Sequence, residues 1–204
     1  MNGYCLRFAF ALLVSVGVGC TSAPVRYYTL TPPLDKTLPA LETALAIDVR
    51  VVNTPPQLNR SELMVRTGST EVTLLENERW ASPVKDEIKD ALRLELQRRL
   101  GRMTVSGPTV TRLTLDLDVQ HLEAELGRYA LLEASWSATL SGTGRRSNGV
   151  RATTCTFQAD EKIDTGYAGL VEGYQREIAG LAEAIVAVLA NRANGIDAPC
   201  QKSI

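Results

Sequence analysis

Two stretches of the chain repeat apolar residues at helical spacing. In residues 84–100 an apolar residue recurs every fourth position, and Gly101 follows as a stop signal. Ser82 and Pro83 precede this stretch; Ser is a typical N-cap, and Pro is tolerated at the first helical position. A second repeat covers about 167–193 and ends before Asn194-Gly195. Each pattern predicts an amphipathic helix that lies on a sheet.

Alternating apolar and polar residues, the pattern of strands with one buried face, mark the rest of the folded part. The alternation is most regular where Leu113, Leu115, Leu117 and Val119 are separated by polar residues. Gly68-Ser69 lies between two short segments and indicates a hairpin. The segments predicted as strands are 25–30, 45–52, 62–67, 71–75, 113–119, 129–140 and 152–160.

The order of elements is strands, a helix, three strands and a helix. Helices and sheets bury their apolar faces against one another, and few layer arrangements satisfy that requirement. We therefore predict a two-layer α+β fold, in which both long helices pack on one face of a mostly antiparallel sheet.

Residues 1–19 have the organisation of a secretory signal peptide. Arg7 precedes the apolar run 8–19, which covers only about 18 Å as a helix, well short of the ~30 Å hydrocarbon core. The alternative is a buried N-terminal helix, but the run has no polar face. Its end, Gly17-Val18-Gly19-Cys20, resembles the bacterial lipobox, which implies cleavage before Cys20 and acylation of that cysteine. Thr21, where retention at the inner membrane would require Asp, favours the outer membrane.

The chain is thus expected to have three parts. Residues 1–19 are the lipoprotein signal peptide, 20–43 are the lipidated Cys20 and a Pro-containing linker with a short strand, and 44–204 are a single periplasmic domain. Fully extended, residues 21–43 would reach about 75 Å. The anchor itself would be held by acyl chains such as palmitate.

Two cysteines remain after processing at Cys20. Cys155 and Cys200 form an even pair in an oxidising compartment, which favours a disulfide; two unpaired thiols are the alternative. Closing a loop of this length would stabilise the fold by about 4 kcal/mol in the chain-entropy model.

Composition argues against several function classes. The formal net charge is −1, aromatic residues make up 5%, and no patch of Lys or Arg stands out, so nucleic-acid binding has no electrostatic basis. The single histidine, His121, continues the apolar parity of its strand and is expected at the end of a buried face. Asp116 and Asp118 share the solvated face, where nothing predicts a raised pKa. We expect no catalytic residues, no metal site, no cofactor and no enzymatic activity.

Trp80 stands immediately before the first helix. A Trp in this place can close the start of the helix as a hydrophobic staple. The alternative places Arg79 and Trp80 on a partner-binding surface, because both residue types are common at interface hot spots.

The order of short motifs resembles the PqiC (YmbA-like) ABC-type transport auxiliary lipoproteins of MCE-type lipid transport systems. The sharpest element is Arg79-Trp80-Ala81-Ser82-Pro83-Val84 at the helix start. Acidic residues are common in the family where Ser82 and Asn59 stand here. The other elements are the lipobox Cys20, Tyr27-Tyr28-Thr29-Leu30, Ile47-Asp48-Val49-Arg50-Val51 and Pro55-Pro56-Gln57-Leu58-Asn59-Arg60.

This resemblance implies a non-catalytic component, anchored in the outer membrane and facing the periplasm. Its partners would be a channel-forming MCE-domain protein, whose end it would dock, and the permease beyond that channel. A ring-shaped homo-oligomer is compatible with docking on a channel end. Two alternatives stay open: a lipoprotein that itself binds a lipid or small hydrophobic ligand between helices and sheet, and an envelope hydrolase that uses Asp116 or His121.

Overall fold

A computed structural model describes residues 23–33, 45–100, 111–142, 153–193 and 200 of the chain. Within these ranges, no helix is long and apolar enough to cross a membrane. The elements are β1 (Arg26–Tyr28), β2 (Leu45–Asn53), a 3-10 turn (Pro56–Leu58), β3 (Glu62–Arg66), β4 (Val72–Trp80), α1 (Val84–Leu100), β5 (Thr111–Glu125), β6 (Tyr129–Gly142), β7 (Thr153–Lys162) and α2 (Tyr167–Ala193).

The larger sheet has four strands in the order β2-β5-β6-β7. β2 pairs with β5 in parallel, and the other two pairings are antiparallel. Because facing residues in register share one side of a sheet, Leu117, Trp136 and Cys155 form one buried row across three strands. Both helices pack against this sheet and against each other. The α+β class and the mostly antiparallel sheet are confirmed.

The smaller sheet was not anticipated as a separate unit. Its strand order is β1-β4-β3, with β1 parallel and β3 antiparallel to β4. The predicted strand 71–75 is longer in the structure and continues to Trp80. Its pairing with β3 changes register: Leu63 pairs with Leu75, whereas the preceding Glu62 pairs with Arg79. Beyond the displaced residues 76–78, Arg79 pairs with Glu62 of β3 on one side and with Tyr27 of β1 on the other.

Helix α1 begins one residue later than the sequence signals indicate. The carbonyl oxygen of Pro83 accepts hydrogen bonds from the amides of Asp86 at 2.7 Å and Glu87 at 3.1 Å, so Pro83 occupies the N-cap and Val84 is the first helical residue. Ser82 therefore stands outside the helix. Its hydroxyl instead donates to the side chain of Glu87.

Helix α2 lies close to the four-stranded sheet at Gly173. A Cβ atom at this position would lie 3.1 Å from the Cβ of Ala130 on β6 and would overlap the side chain of Ile163. Glycine at this point lets the helix backbone approach the sheet. The buried face of the helix includes Leu170, Tyr174, Ile178, Leu181, Ile185 and Val188.

Candidate functional site

The strand after the expected anchor is fixed to the domain by an ion pair with a buried carboxylate. Arg26 of β1 donates from Nε to both carboxylate oxygens of Glu78 at 3.0 Å, and Glu78 is only 5% exposed. Burial acts to raise the pKa of Glu78, but hydrogen bonds from Arg26 and Tyr28 outweigh it and lower the pKa. The Arg26 guanidinium also lies over the ring of Tyr167, 5.6 Å from its centroid. β1 is thus an ordered part of the folded domain.

A second buried carboxylate fixes the residues that follow β1. Glu87, in the first turn of α1, accepts hydrogen bonds from the Leu30 amide at 2.9 Å and from the Thr29 hydroxyl at 2.7 Å. It also accepts from the Ser82 hydroxyl at 2.8 Å. Leu30 itself is fully buried. One side chain therefore joins the N-terminal segment, the loop before α1 and the helix itself.

An open groove of about 500 Å³ lies where these segments meet. One wall is the turn that follows β2, and the other is the end of β4 with the start of α1. Tyr27 of β1, 66% exposed, stands at its margin. The residues around the groove are Tyr27, Thr54, Leu58, Asn59, Arg60, Ser61, Arg79, Trp80, Ala81, Ser82, Pro83, Val84 and Lys85.

The groove has an apolar floor and a basic rim. Leu58, Pro83 and Val84 contribute apolar surface, and the charged side chains among the described lining residues are Arg60, Arg79 and Lys85. One carboxylate lies behind the rim: Glu62 is 3.6 Å from the Arg79 guanidinium. The pKa of Glu62 is lowered, first by a hydrogen bond from its own backbone and further by Ser61, Arg79 and Arg60. The rim keeps an excess of positive charge.

The two residues suggested as a partner-binding pair have different environments. Trp80 is 7% exposed, and its ring lies 6.3 Å from the ring of Tyr174 on α2, so most of it belongs to the core. Arg79 lies beside the groove and donates to the Glu76 carbonyl at 3.3 Å. Of the pair, Arg79 offers a partner the larger accessible surface.

The prediction that His121 is buried is wrong. Val119 pairs with Ala134, but His121 pairs with the next residue on β6, Glu133, so Gln120 is an extra residue in β5. This bulge reverses the alternation and leaves the His121 side chain 57% exposed, 3.7 Å from the Glu133 carboxylate. A sequence gives little sign of a bulge, because the extra residue is an ordinary one.

The two aspartates lie on the sheet face that the helices leave open. Asp116 forms a 2.7 Å ion pair with Arg50 of β2, and its side chain is 32% exposed. Asp118 lies two residues further along the same face, beside Ser135 and Ser137. Among the described residues, no group of three or more His, Cys, Asp or Glu side chains could hold a metal ion.

The predicted cysteine pair is joined in the structure. Cys155 lies buried in β7, and a disulfide bond links it to Cys200 across 45 residues, with a Cα–Cα distance of 5.4 Å. The bond fastens the segment beyond α2 to the four-stranded sheet. Cys20 lies outside the described residues.

The groove brings together residues of three of the five motifs on which the resemblance rests. Tyr27, residues 58–60 and residues 79–84 are distant in sequence, yet they surround one cavity. The sequence matches the family model of the ABC-type transport auxiliary lipoprotein component over residues 28–186. The chain belongs to this family. It is therefore a lipoprotein component of ABC-type transport, and the family match includes the four-stranded sheet, β3, β4 and every residue around the groove except Tyr27.

Solved structures support the fold of this auxiliary lipoprotein. One crystal structure of an uncharacterised protein is 20% identical, with a TM-score of 0.61, and covers 82% of this chain and 99% of its own. A second, of a protein from Xanthomonas campestris, is 13% identical, with a TM-score of 0.52, and covers 85% and 99%. At these identities the likeness concerns the fold alone. Comparison with curated proteins gives no significant match.

Proposed function

We propose that this auxiliary lipoprotein is anchored through Cys20 in the outer membrane, faces the periplasm, and docks the end of a channel-forming MCE-domain protein without catalysing a reaction. The observation that carries the proposal is that three motifs, at Tyr27, at 58–60 and at 79–84, meet at one accessible groove. Trp80 and Val84 are buried beneath it, whereas Arg60, Arg79 and Pro83 line its accessible surface.

The chemistry of the groove suits a peptide segment of the partner. An apolar floor can take an apolar side chain, and the rim of Arg60, Arg79 and Lys85 favours acidic residues beside it. Trp80 supports the floor from below through its contact with Tyr174. We therefore expect the MCE protein to contribute a segment that combines apolar and acidic side chains.

An internal lipid site receives less support. The cavity among β3, Leu122 of β5 and the first turns of α2 has a volume of only about 10 Å³, which is the space of about one water molecule. An acyl chain does not fit there. The surface groove has the volume of a small-ligand site, so a hydrophobic ligand in the groove is the second candidate function.

Reversal of the rim charge tests the docking proposal. Arg79→Glu combined with Lys85→Glu should abolish recovery of the MCE-domain protein when the tagged lipoprotein is purified from gently solubilised envelopes and its partners are identified by mass spectrometry. Arg93→Glu is the matched control, because Arg93 is similarly exposed on α1 but outside the groove. If the wild type recovers no MCE-domain protein, or if the double variant recovers as much as the control, docking at the groove is contradicted.

A further inference from the structure

We propose that one side of the segment that enters β1, formed by Val25 and Tyr27, rests against the phospholipid head groups of the bilayer that anchors the protein. The inference depends on the proposed anchorage at Cys20. It adds an orientation: the end of the domain that carries the groove is held at the membrane surface.

The chain between the proposed anchor and the domain is short. Only five residue steps separate Cys20 from Val25, which is at most about 18 Å of extended chain. If β1 were not part of the domain, the tether would continue to β2 at Leu45, and its reach would be roughly 85 Å. The docking of β1 therefore sets the distance of the domain from the membrane.

Residues 26–33, which follow the proposed anchor, are held along the domain by several contacts. Beyond the contacts of Arg26 with Glu78 and of Leu30 with Glu87, Gln175 on α2 donates to the Thr29 carbonyl at 3.2 Å. At the far end, Arg98 of α1 donates to the carbonyl of Pro33 at 3.1 Å. Contacts to both helices and to β4 hold residues 26–33 along the domain, so the short tether is a stable feature.

The exposed side chains next to the proposed anchor suit contact with a membrane surface. Val25 is 43% exposed and Tyr27 is 66% exposed, and the alternation of an extended chain directs both to the same side. Arg26, between them, points to the other side, where Glu78 and the ring of Tyr167 hold its guanidinium. Tyr favours the boundary between water and lipid because its ring is apolar and its hydroxyl polar. An apolar and an aromatic side chain thus share one side of the segment at the point where the chain leaves for the membrane.

The consequence for transport concerns the groove. Tyr27 stands at the margin of the groove and lies seven residue steps from Cys20, which is at most about 25 Å. A partner segment held in the groove would therefore be brought to the lipid surface. Lipid leaving the partner would enter the bilayer directly, with little water to cross.

A single-site label in the anchored, full-length mature protein tests the contact. Cys20 is acylated under the proposal and Cys155 is bonded to Cys200, so an introduced cysteine would carry the free thiol. Tyr27→Cys is labelled with a fluorophore in proteoliposomes that contain a nitroxide-labelled head-group lipid. Leu140→Cys is the matched control, because Leu140 is 40% exposed and lies far from β1. Tyr129 pairs with Lys162, shortly before the Tyr167 that Arg26 contacts, and Leu140 lies eleven residues further along β6.

The expected result is that the nitroxide lipid removes most of the fluorescence of the label at position 27 and leaves that at position 140 almost unchanged. Equal quenching at the two positions, or no quenching at position 27, would overturn the orientation. Flotation of the same vesicles separates this outcome from a failure of the anchor. Protein that floats but is not quenched contradicts the contact alone, whereas protein that does not float contradicts the anchorage and this inference with it.

Discussion

The backbone amide of Leu30 donates a 2.9 Å hydrogen bond to the carboxylate of Glu87, a residue 57 positions further along the chain. Leu30 is fully buried and Glu87 is 5% exposed, so the bond is shielded from water. Hydrogen bonds to a charged acceptor are stronger than those between neutral groups. This contact makes the segment after the anchor depend on the first turn of α1.

Glu87→Gln should weaken that dependence. The amide oxygen can still accept from Thr29 and Leu30, and the NH2 group can donate to the Ser82 hydroxyl, but the three bonds to a charged carboxylate become weaker bonds to a neutral group. We expect a loss of about 1–3 kcal/mol in the free energy of unfolding, measured with denaturant, and faster hydrogen exchange at the Leu30 amide. The same substitution at the exposed Glu183 is the control and should change stability by less than about 0.5 kcal/mol. Equal stability of the two variants would contradict the role of Glu87.

Glu177 on α2 should make the stability of the domain depend on pH. It is 1% exposed, and neither carboxyl oxygen has a partner at hydrogen-bonding geometry among the described residues. Burial, followed by the negative charge of Glu161, raises the pKa of Glu177 to about 9. The nearby backbone of Leu132 and Glu161 lowers the pKa, but by less than burial raises it.

The free energy of unfolding should fall as the pH rises, because the pKa of Glu177 is higher in the folded state than in the unfolded state. The folded state holds the proton, so the contribution of Glu177 is present below about pH 4.5 and is lost as the pH rises towards 9. The slope approaches about 1.4 kcal/mol per pH unit between those limits. Glu177→Gln should remove this term, so that the variant is more stable than the wild type at pH 8 and gains little at pH 5. Denaturation curves at the two pH values provide the test, and parallel behaviour of variant and wild type would refute it.

Two glycines of α2 should respond in opposite ways to alanine. At Gly173 the new Cβ would overlap Ile163 and press on Ala130, and overpacking of this kind costs about 1–3 kcal/mol. At Gly180 the nearest atom is the Phe157 Cζ at 3.6 Å, an ordinary contact, so the helix should gain about 0.5–1 kcal/mol. Thermal unfolding of Gly173→Ala and Gly180→Ala measures both. Stabilisation by the former would show that the helix does not approach the sheet as described.

The Cys155–Cys200 bond should contribute measurably to stability. Breaking a loop closure of 45 residues costs about 4 kcal/mol in the chain-entropy model. A reductant should therefore lower the Tm of the wild type and leave that of Cys200→Ala unchanged. If both proteins respond alike, or neither does, the bond does not form in the native protein.

Sequence reasoning predicted the local elements well because their signals are local. The four-residue repeat of α1 and the alternation in β6 lie within single segments, and the structure has both elements close to the predicted bounds. β5 continues six residues past its predicted end at 119, because the bulge at Gln120 breaks the alternation. Helix α2 agrees for the same reason: its apolar face depends only on spacing within the helix.

Strand pairing could not be predicted in the same way. The parallel pairing of β1 with β4 includes the contact of Arg26 with Glu78. Nothing in the sequence around either residue shows that the two lie together. The register jump at Glu62 and the extra residue Gln120 are single-residue events that periodicity does not reveal. For that reason the second sheet, the position of His121 and the groove emerged only from the three-dimensional arrangement.

The parallel strand pairs also bear on the order in which the chain folds. Arg50 of β2 meets Asp116 of β5 across 66 residues, and Arg26 meets Glu78 across 52. Pairings between such distant segments close slowly, because the chain entropy of the intervening loop is lost before the contacts form. The antiparallel pairs β5–β6 and β6–β7 join neighbouring segments, so β1 and β2 would be the last strands to join their sheets.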